Sequence, residues 1–209
     1  MTEIAAEKTT VRIVGLGGSL DGSSNSLMAL KVAMDAAENA GAETETLDLH
    51  ALQLPLYEPS LSETPAVRRF VETVYAADGM VWSSPLYHGT VSGAFKNALD
   101  WLELLKRREP AYLTDKVVGL IATAGGAQGL QAINTMEYIV RALRGWTVPL
   151  TAPVSHAWHA FHEDGRPKDE AVHARLTALG HEVARATRIF RCQTPVPPDV
   201  KAQEDAQRR

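Results

Sequence analysis

VRIVGLGGSLDGSSNSLMALKVAMDAAENAG, residues 11 to 41, contains the three pieces whose order decides the fold: an apolar run, a glycine- and serine-rich loop, and a helical stretch. Val11 to Leu16 is short, rich in β-branched side chains and flanked by glycine, as expected of a strand buried on both faces of a parallel sheet. Ser26 to Gly41 carries Leu27, Leu30, Val32, Met34 and Ala37 among Ala, Lys, Asp and Glu, and Gly41 closes it; this predicts a helix with a glycine stop. Between them lie Gly15, Gly17, Gly18 and Gly22 with Ser19, Ser23, Ser24 and Ser26.

The same alternation continues outward. Glu43 to Leu49 reads as a weaker strand, and Leu52 to Pro65, with three prolines, as a long connection. Ala66 to Ala77 has helical spacing, and Gly79 to Ser83 is a strand ended by Pro85. Ser92 to Arg107 predicts one helix with Phe95, Leu99, Leu102 and Leu105 on one side. Val117 to Thr123 is a strongly apolar strand, Leu130 to Leu143 a helix, and Trp146 to Val154 a strand that Pro149 and Pro153 demote to an edge or an irregular element. Asp169 to Phe190 closes with helical spacing. Strand and helix alternate about five times, which calls for an α/β fold: a doubly wound five-stranded parallel sheet with helices on both faces. Residues 11–192 form one domain in this reading, with residues 1–10 and 193–209 as disordered ends.

Composition narrows the chemistry. The 209 residues carry 45% hydrophobic and 22% charged content and a formal net charge of -4, so no global basic field attracts nucleic acid or an anionic membrane. Cys192 is the only cysteine, which excludes a disulfide framework and a cysteine-based zinc site. No apolar run approaches the roughly 20 residues of a membrane span, and the start is polar and acidic; a cytoplasmic protein acting on small molecules is expected.

In a doubly wound sheet the ligand crevice lies beyond the C-terminal ends of the strands. The loops at residues 17–26, 84–92 and 123–129 therefore share one rim. Glycines allow a backbone close to an anion, and serine hydroxyls with helix N-terminal amides donate to phosphate oxygens, so the first loop reads as an anion site. Its plainer reading is a turn whose Ser24 or Ser26 caps the next helix. Gly15 and Gly17, followed by Leu20 where a third glycine would stand, match the dinucleotide fingerprint in part, with Asp48 as the ribose acid. The Gly-Lys-Ser/Thr of a Walker loop is missing.

The second loop and the helical stretch after it, Ser84-Pro85-Leu86-Tyr87-His88-Gly89-Thr90-Val91-Ser92-Gly93-Ala94-Phe95-Lys96-Asn97-Ala98-Leu99-Asp100-Trp101, resemble the signature of the NADPH-dependent FMN reductase family, P-x-Y-x-G followed by a glycine and L-K-N-A-L-D-W. The first loop is similar to that family's phosphate loop, G-S-x-R-x-x-S-x-N, through Gly18, Ser19 and Ser24. Ala122-Thr123-Ala124-Gly125-Gly126 resembles its third loop, a small hydroxyl residue before paired glycines. The resemblance spans roughly residues 11–150 and implies a flavodoxin-like fold with FMN as cofactor. Ser19, Ser24 and Ser26 would donate to its phosphate, Pro85, Leu86, Tyr87, His88 and Gly89 would lie along the isoalloxazine, and Thr123, Gly125 and Gly126 would approach from the other side. Two positions depart from the pattern: Asp21 stands where the family has arginine, and Ser26 where it has asparagine. Asp21 puts an anion where a cation would face the phosphate.

The implied activity is hydride transfer from NADPH or NADH to flavin and then to a small-molecule acceptor: free flavin, a quinone, an azo compound or a metal oxyanion. No side chain is assigned as catalytic, since the redox chemistry is the cofactor's. A homodimer or homotetramer is also implied, with Lys96 to Leu105 as the candidate contact surface. Other readings are a flavodoxin-like electron carrier without pyridine-nucleotide activity and a dinucleotide dehydrogenase using Gly15, Gly17 and Asp48. His156, His159 and His162 recur every three residues but read as a surface or pocket-rim loop rather than a metal site, and Trp82 and Trp146 read as core.

Overall fold

A computed structural model of the chain describes residues 10–61 and 63–192. The expected disordered ends, apart from Thr10, lie outside the described residues. Strands β1 (Arg12–Gly17), β2 (Glu43–Asp48), β3 (Gly79–Tyr87), β5 (Val117–Thr123) and β6 (Trp146–Val154) pair in the order β2-β1-β3-β5-β6, every pairing parallel. Counting only these five, the order is that of flavodoxin-like sheets, with the topological switch between β1 and β3. A sixth strand, β4 (Thr90–Val91), folds back antiparallel on the end of β3.

Strand periodicity sets the two cores. On β1, Ile13 joins one cluster, together with Val11 just before the strand, and Val14 and Leu16 join the other, because successive side chains alternate between faces. The first cluster packs under α1 (Asn25–Asn39) and α6 (Glu170–Arg191). The second packs under α3 (Pro65–Ala76), α4 (Gly93–Asp100) and α5 (Gly129–Ala142). Trp82 and Phe95, both fully buried, meet edge to face at 5.6 Å in that second core, a geometry that contributes about 1 kcal/mol beyond the area buried.

Three expectations change. The helix predicted over 92–107 is α4 followed by a 3-10 segment, Trp101–Arg107, and Lys96 and Asp100 pair across one turn of α4 at 2.5 Å. A single helical turn that was not expected, α2 (Leu49–Leu52), stands between β2 and the long connection. Trp146 is not core: it is 55% exposed on the edge strand β6, where its ring meets that of Phe190 at 5.4 Å. The irregularity expected of β6 is present as a register shift opposite Val118 and Leu120.

Register fixes the rim. Gly17 lies opposite Ser83, Pro85 opposite Thr123, and Thr123 opposite Val154, so the loops leaving β1, β3, β5 and β6 emerge side by side.

Candidate functional site

The first loop leaves β1 at Gly17 and enters α1 at Asn25. Ser24 caps the helix: its Oγ accepts from the Leu27 amide at 3.2 Å, while Ser24 and Ser26 hydroxyls share a hydrogen bond at 3.2 Å. The amides of Asn25 and Ser26 are first-turn donors with no partner inside the helix. Ser19 is buried, and its Oγ accepts from the Asp21 amide at 3.1 Å, leaving the hydroxyl hydrogen to donate. The plainer capping reading of Ser24 is met by this geometry.

A chain of buried serines joins this loop to the second. Gly18 N donates to Ser83 O at 2.7 Å, and Ser83 Oγ donates to Ser26 O at 2.7 Å. Ser92 Oγ donates to Gly18 O at 2.5 Å and also receives the Phe95 amide, capping α4. Ser84 Oγ accepts from the Ser92 amide and donates to Pro85 O. A Cβ on Gly18 would stand 2.8 Å from both Ser83 O and the Phe95 ring, so only glycine fits there. Ser83, Ser84 and Ser92 were not among the expected site residues. The signal for Ser83 and Ser84 was a serine pair inside an otherwise apolar strand, and that for Ser92 its place before a helical stretch.

Pro85, Leu86 and Tyr87 complete β3, and the chain turns through His88 and Gly89, both with positive φ (51° and 88°), into β4. Two left-handed residues between paired strands are the demand of a tight hairpin, which Gly89 meets without a steric penalty. Pro85 is buried, Leu86 half-buried and Tyr87 55% exposed. The hairpin leans on α5: Thr90 and Thr135 hydroxyls lie 3.2 Å apart. Since α5 begins directly after the third loop, this contact brings the second and third loops together.

Thr123 is buried at the end of β5, and the loop is sewn to β6 by Ala124 N to Val154 O (2.9 Å) and Ala157 N to Ala124 O (3.0 Å). Gly125 is exposed, and a Cβ there would lie 3.1 Å from the Trp158 indole. Trp158, 79% exposed, therefore stands on the rim beside a predicted site residue. Sequence reasoning put it on a rim loop without assigning it a role. Among the described residues no group of three His, Cys, Asp or Glu is placed to hold a metal ion.

Two charged residues behave differently from the loop pattern. Asp21 is exposed and folds back on its own loop, accepting from the Ser23 amide (2.9 Å) and hydroxyl (2.8 Å), which hold its carboxyl below the ordinary carboxylate value. Asp48, the candidate ribose acid, caps α2 by accepting from the His50 amide at 2.9 Å. That engagement weighs against the dehydrogenase reading. A groove of about 820 Å³ borders the first loop at Gly22, Ser23 and Ser24 and runs between α1, residues 163–167 and α6, without reaching residues 85–89 or 123–126.

A flavodoxin-like sheet with a serine- and glycine-rich loop at its switch point and two further glycine-bearing loops beside it is the architecture of the doubly wound α/β class, whose ligands bind at that rim. The chain belongs to the NADPH-dependent FMN reductase family, whose model matches residues 11–159. It is 30% identical over 189 residues to the NADPH-dependent FMN reductase ArsH of Shigella flexneri, covering 90% of this chain and 73% of that one. It is 37% identical over 110 residues to the NADPH azoreductase of Bacillus sp. strain OY1-2, covering 51% and 58%. In fold it is similar to FerB, the flavoenzyme NAD(P)H:(acceptor) oxidoreductase of Paracoccus denitrificans, with a TM-score of 0.70 at 22% identity over 87% and 99% of the two chains. Family membership makes this chain an NAD(P)H-dependent oxidoreductase of the FMN reductase type, with FMN as its cofactor.

The residues present fit FMN. Hydroxyls and first-turn amides suit a phosphate, and the glycine turns at 89 and 125 keep Cβ atoms away from a flat ring. The one element lacking is a cation within residues 17–26, where Asp21 is the only charged side chain.

Proposed function

We propose that this rim holds FMN with the first loop on its phosphate and the second and third loops along its ring, and that the enzyme passes electrons from NADPH or NADH to a small acceptor: free flavin, a quinone, an azo compound or a metal oxyanion. The observation that carries the reading is the serine chain linking Gly18 and Ser26 to Ser83, Ser84 and Ser92, which supports one continuous site across two loops.

Bound FMN supplies the hydride-accepting and electron-passing chemistry. The protein binds and orients. Ser19, Ser24, Ser26 and the α1 amides hold the phosphate; Pro85 and Leu86 line an apolar wall; the hairpin backbone at Tyr87, His88 and Gly89 offers peptide dipoles to the ring's polar edge; Thr123, Gly125 and Gly126 border it opposite. Tyr87 and His88 act as positioning groups and move no proton in this account.

No helix among the described residues is long and apolar enough to cross a membrane. We place the enzyme in the cytoplasm as a homodimer or homotetramer. Leu99, Leu102 and Leu105 are buried in this chain's own core, so a contact through the 96–105 segment would use its outer face, around Lys96 and Leu104.

Flavin titration followed by stopped-flow mixing with NADPH and NADH tests the reading. A yellow complex bleached by either nucleotide and reoxidised by a quinone or azo dye is expected. A complex that neither nucleotide bleaches would point to the electron carrier, and absence of any flavin complex would overturn the site.

A further inference from the structure

The first loop lacks the arginine of its family, and the structure shows what else restrains it. Gly18 is tied to Ser83 and Ser92, and Ser24 is locked as a helix cap. Between these anchors, residues 19–23 bond mostly to one another: Asp21 N to Ser19 Oγ, and Ser23 N and Oγ to Asp21 Oδ1. Among the described residues, apart from the adjoining cap's Ser24 N to Asp21 O at 3.1 Å, a single hydrogen bond enters this stretch from elsewhere in the chain. It joins the Nδ1 of His50 to the carbonyl oxygen of Leu20 at 2.6 Å.

A carbonyl oxygen only accepts, so the His50 ring must carry its proton on Nδ1 and donate. The ring is aimed by its own short element: the His50 amide is fixed to Asp48 Oδ1, and α2 ends at Gln53 with a left-handed φ of 46°. It also lies flat enough against the loop that a Cβ on Gly22 would stand 3.3 Å from its Cδ2. Contact and hydrogen bond together fix the carbonyl of Leu20. The orientation of that peptide sets where the neighbouring amides point, and hence the shape of the donor nest offered to a phosphate.

We infer that His50 is a positioning residue for the phosphate loop: from the β2 side it clamps the Leu20 carbonyl and so holds residues 19–23 in an anion-accepting conformation without the loop's usual arginine. The clamp is observed independently of any ligand, while its consequence for phosphate rests on the functional reading above. Its action is through the hydrogen bond, so a neutral donor of similar reach replaces it.

The test compares FMN with riboflavin, which has the same ring and no phosphate, on wild-type protein and on His50→Ala, His50→Gln and His50→Lys. The expected pattern for His50→Ala is FMN affinity lower by about tenfold, from a lost and unreplaced hydrogen bond, with riboflavin affinity changed by less than about twofold. His50→Gln restores FMN binding to within about threefold of wild type. In ligand-free protein, amide hydrogen exchange over residues 19–24 accelerates in His50→Ala and not in His50→Gln. Equal losses for both flavins, unchanged FMN affinity with unchanged exchange, or rescue by Lys but not Gln would each overturn the clamp. Wild-type protein that binds neither flavin would instead bring down the functional reading, and the exchange measurement would still judge the clamp.

Discussion

The two ends of the sheet solve opposite problems with different side chains. At the N-terminal end, long cations close the structure: Lys116 Nζ donates to the carbonyls of Tyr75 (2.9 Å) and Ala77 (2.5 Å), Arg188 to Ala40 O, and Arg191 to Asp78, which also receives the Arg12 amide. At the C-terminal end the ties are short serines reaching across single strands, and large side chains such as Trp158 and Tyr87 are left in solvent. Long flexible cations seal gaps between elements, where their lost rotamer freedom is offset by several bonds. Short hydroxyls fix backbone positions while keeping the space above them clear for a ligand. One end is tied by long cations and the other by short hydroxyls, at the rim proposed to hold the flavin.

The largest effect should come where that division is least clean. Gly18→Val places a branched side chain against Ser83 O, Ser84 Cα and the Phe95 ring, and is expected to cost about 2–3 kcal/mol by denaturant unfolding as well as all flavin binding. A variant that keeps wild-type stability would show that the serine network is not structural. Trp158→Ala should leave stability within about 0.5 kcal/mol, since the indole is exposed, yet raise KM for planar aromatic acceptors roughly fivefold. Equal KM values for the variant and wild type would remove Trp158 from the site.

At the other end, burial lowers the pKa of Lys116, against smaller opposing contributions from Asp78 and Asp115. The unfolded chain therefore binds more protons than the folded one between the lowered value and the ordinary lysine value of about 10.4, so wild-type stability should rise with pH across that window. Comparison with Lys116→Met isolates the group: wild type should gain on the variant as pH rises there. Parallel pH profiles would refute a desolvated Lys116. The smallest effect is expected for Asp21→Arg. Because the Asp21 carboxylate turns onto Ser23 in solvent, FMN affinity should change by less than about threefold. A greater gain in a flavin titration would mean that position 21 reaches the phosphate.

Much of this was legible beforehand. The alternation of strand and helix, the three rim loops and the cap at Ser24 all rest on local patterns, period two, period 3.6 and glycine or serine at element ends, that a linear reading detects. The misses share one cause. His50 meets Leu20 across 30 residues and Ser92 meets Gly18 across 74, and no periodicity announces such pairs. Trp146 misled because an apolar residue on a β-rich run reads as core, even though Pro149 and Pro153 already marked the strand as an edge or irregular element and the strand order puts it at the edge. The break of the 92–107 helix into a 3-10 segment was likewise hidden, since both forms keep similar apolar spacing over two turns.

The residues alone determined the class of sheet, the loops that share its rim and the family motifs, because backbone propensity and hydrophobic period act over a few neighbours. Only the folded chain decided which groups hold the first loop in place, how Asp21 is turned and that Trp158 stands beside Gly125, because those depend on hydrogen bonds and packing between segments that meet only once the sheet has formed.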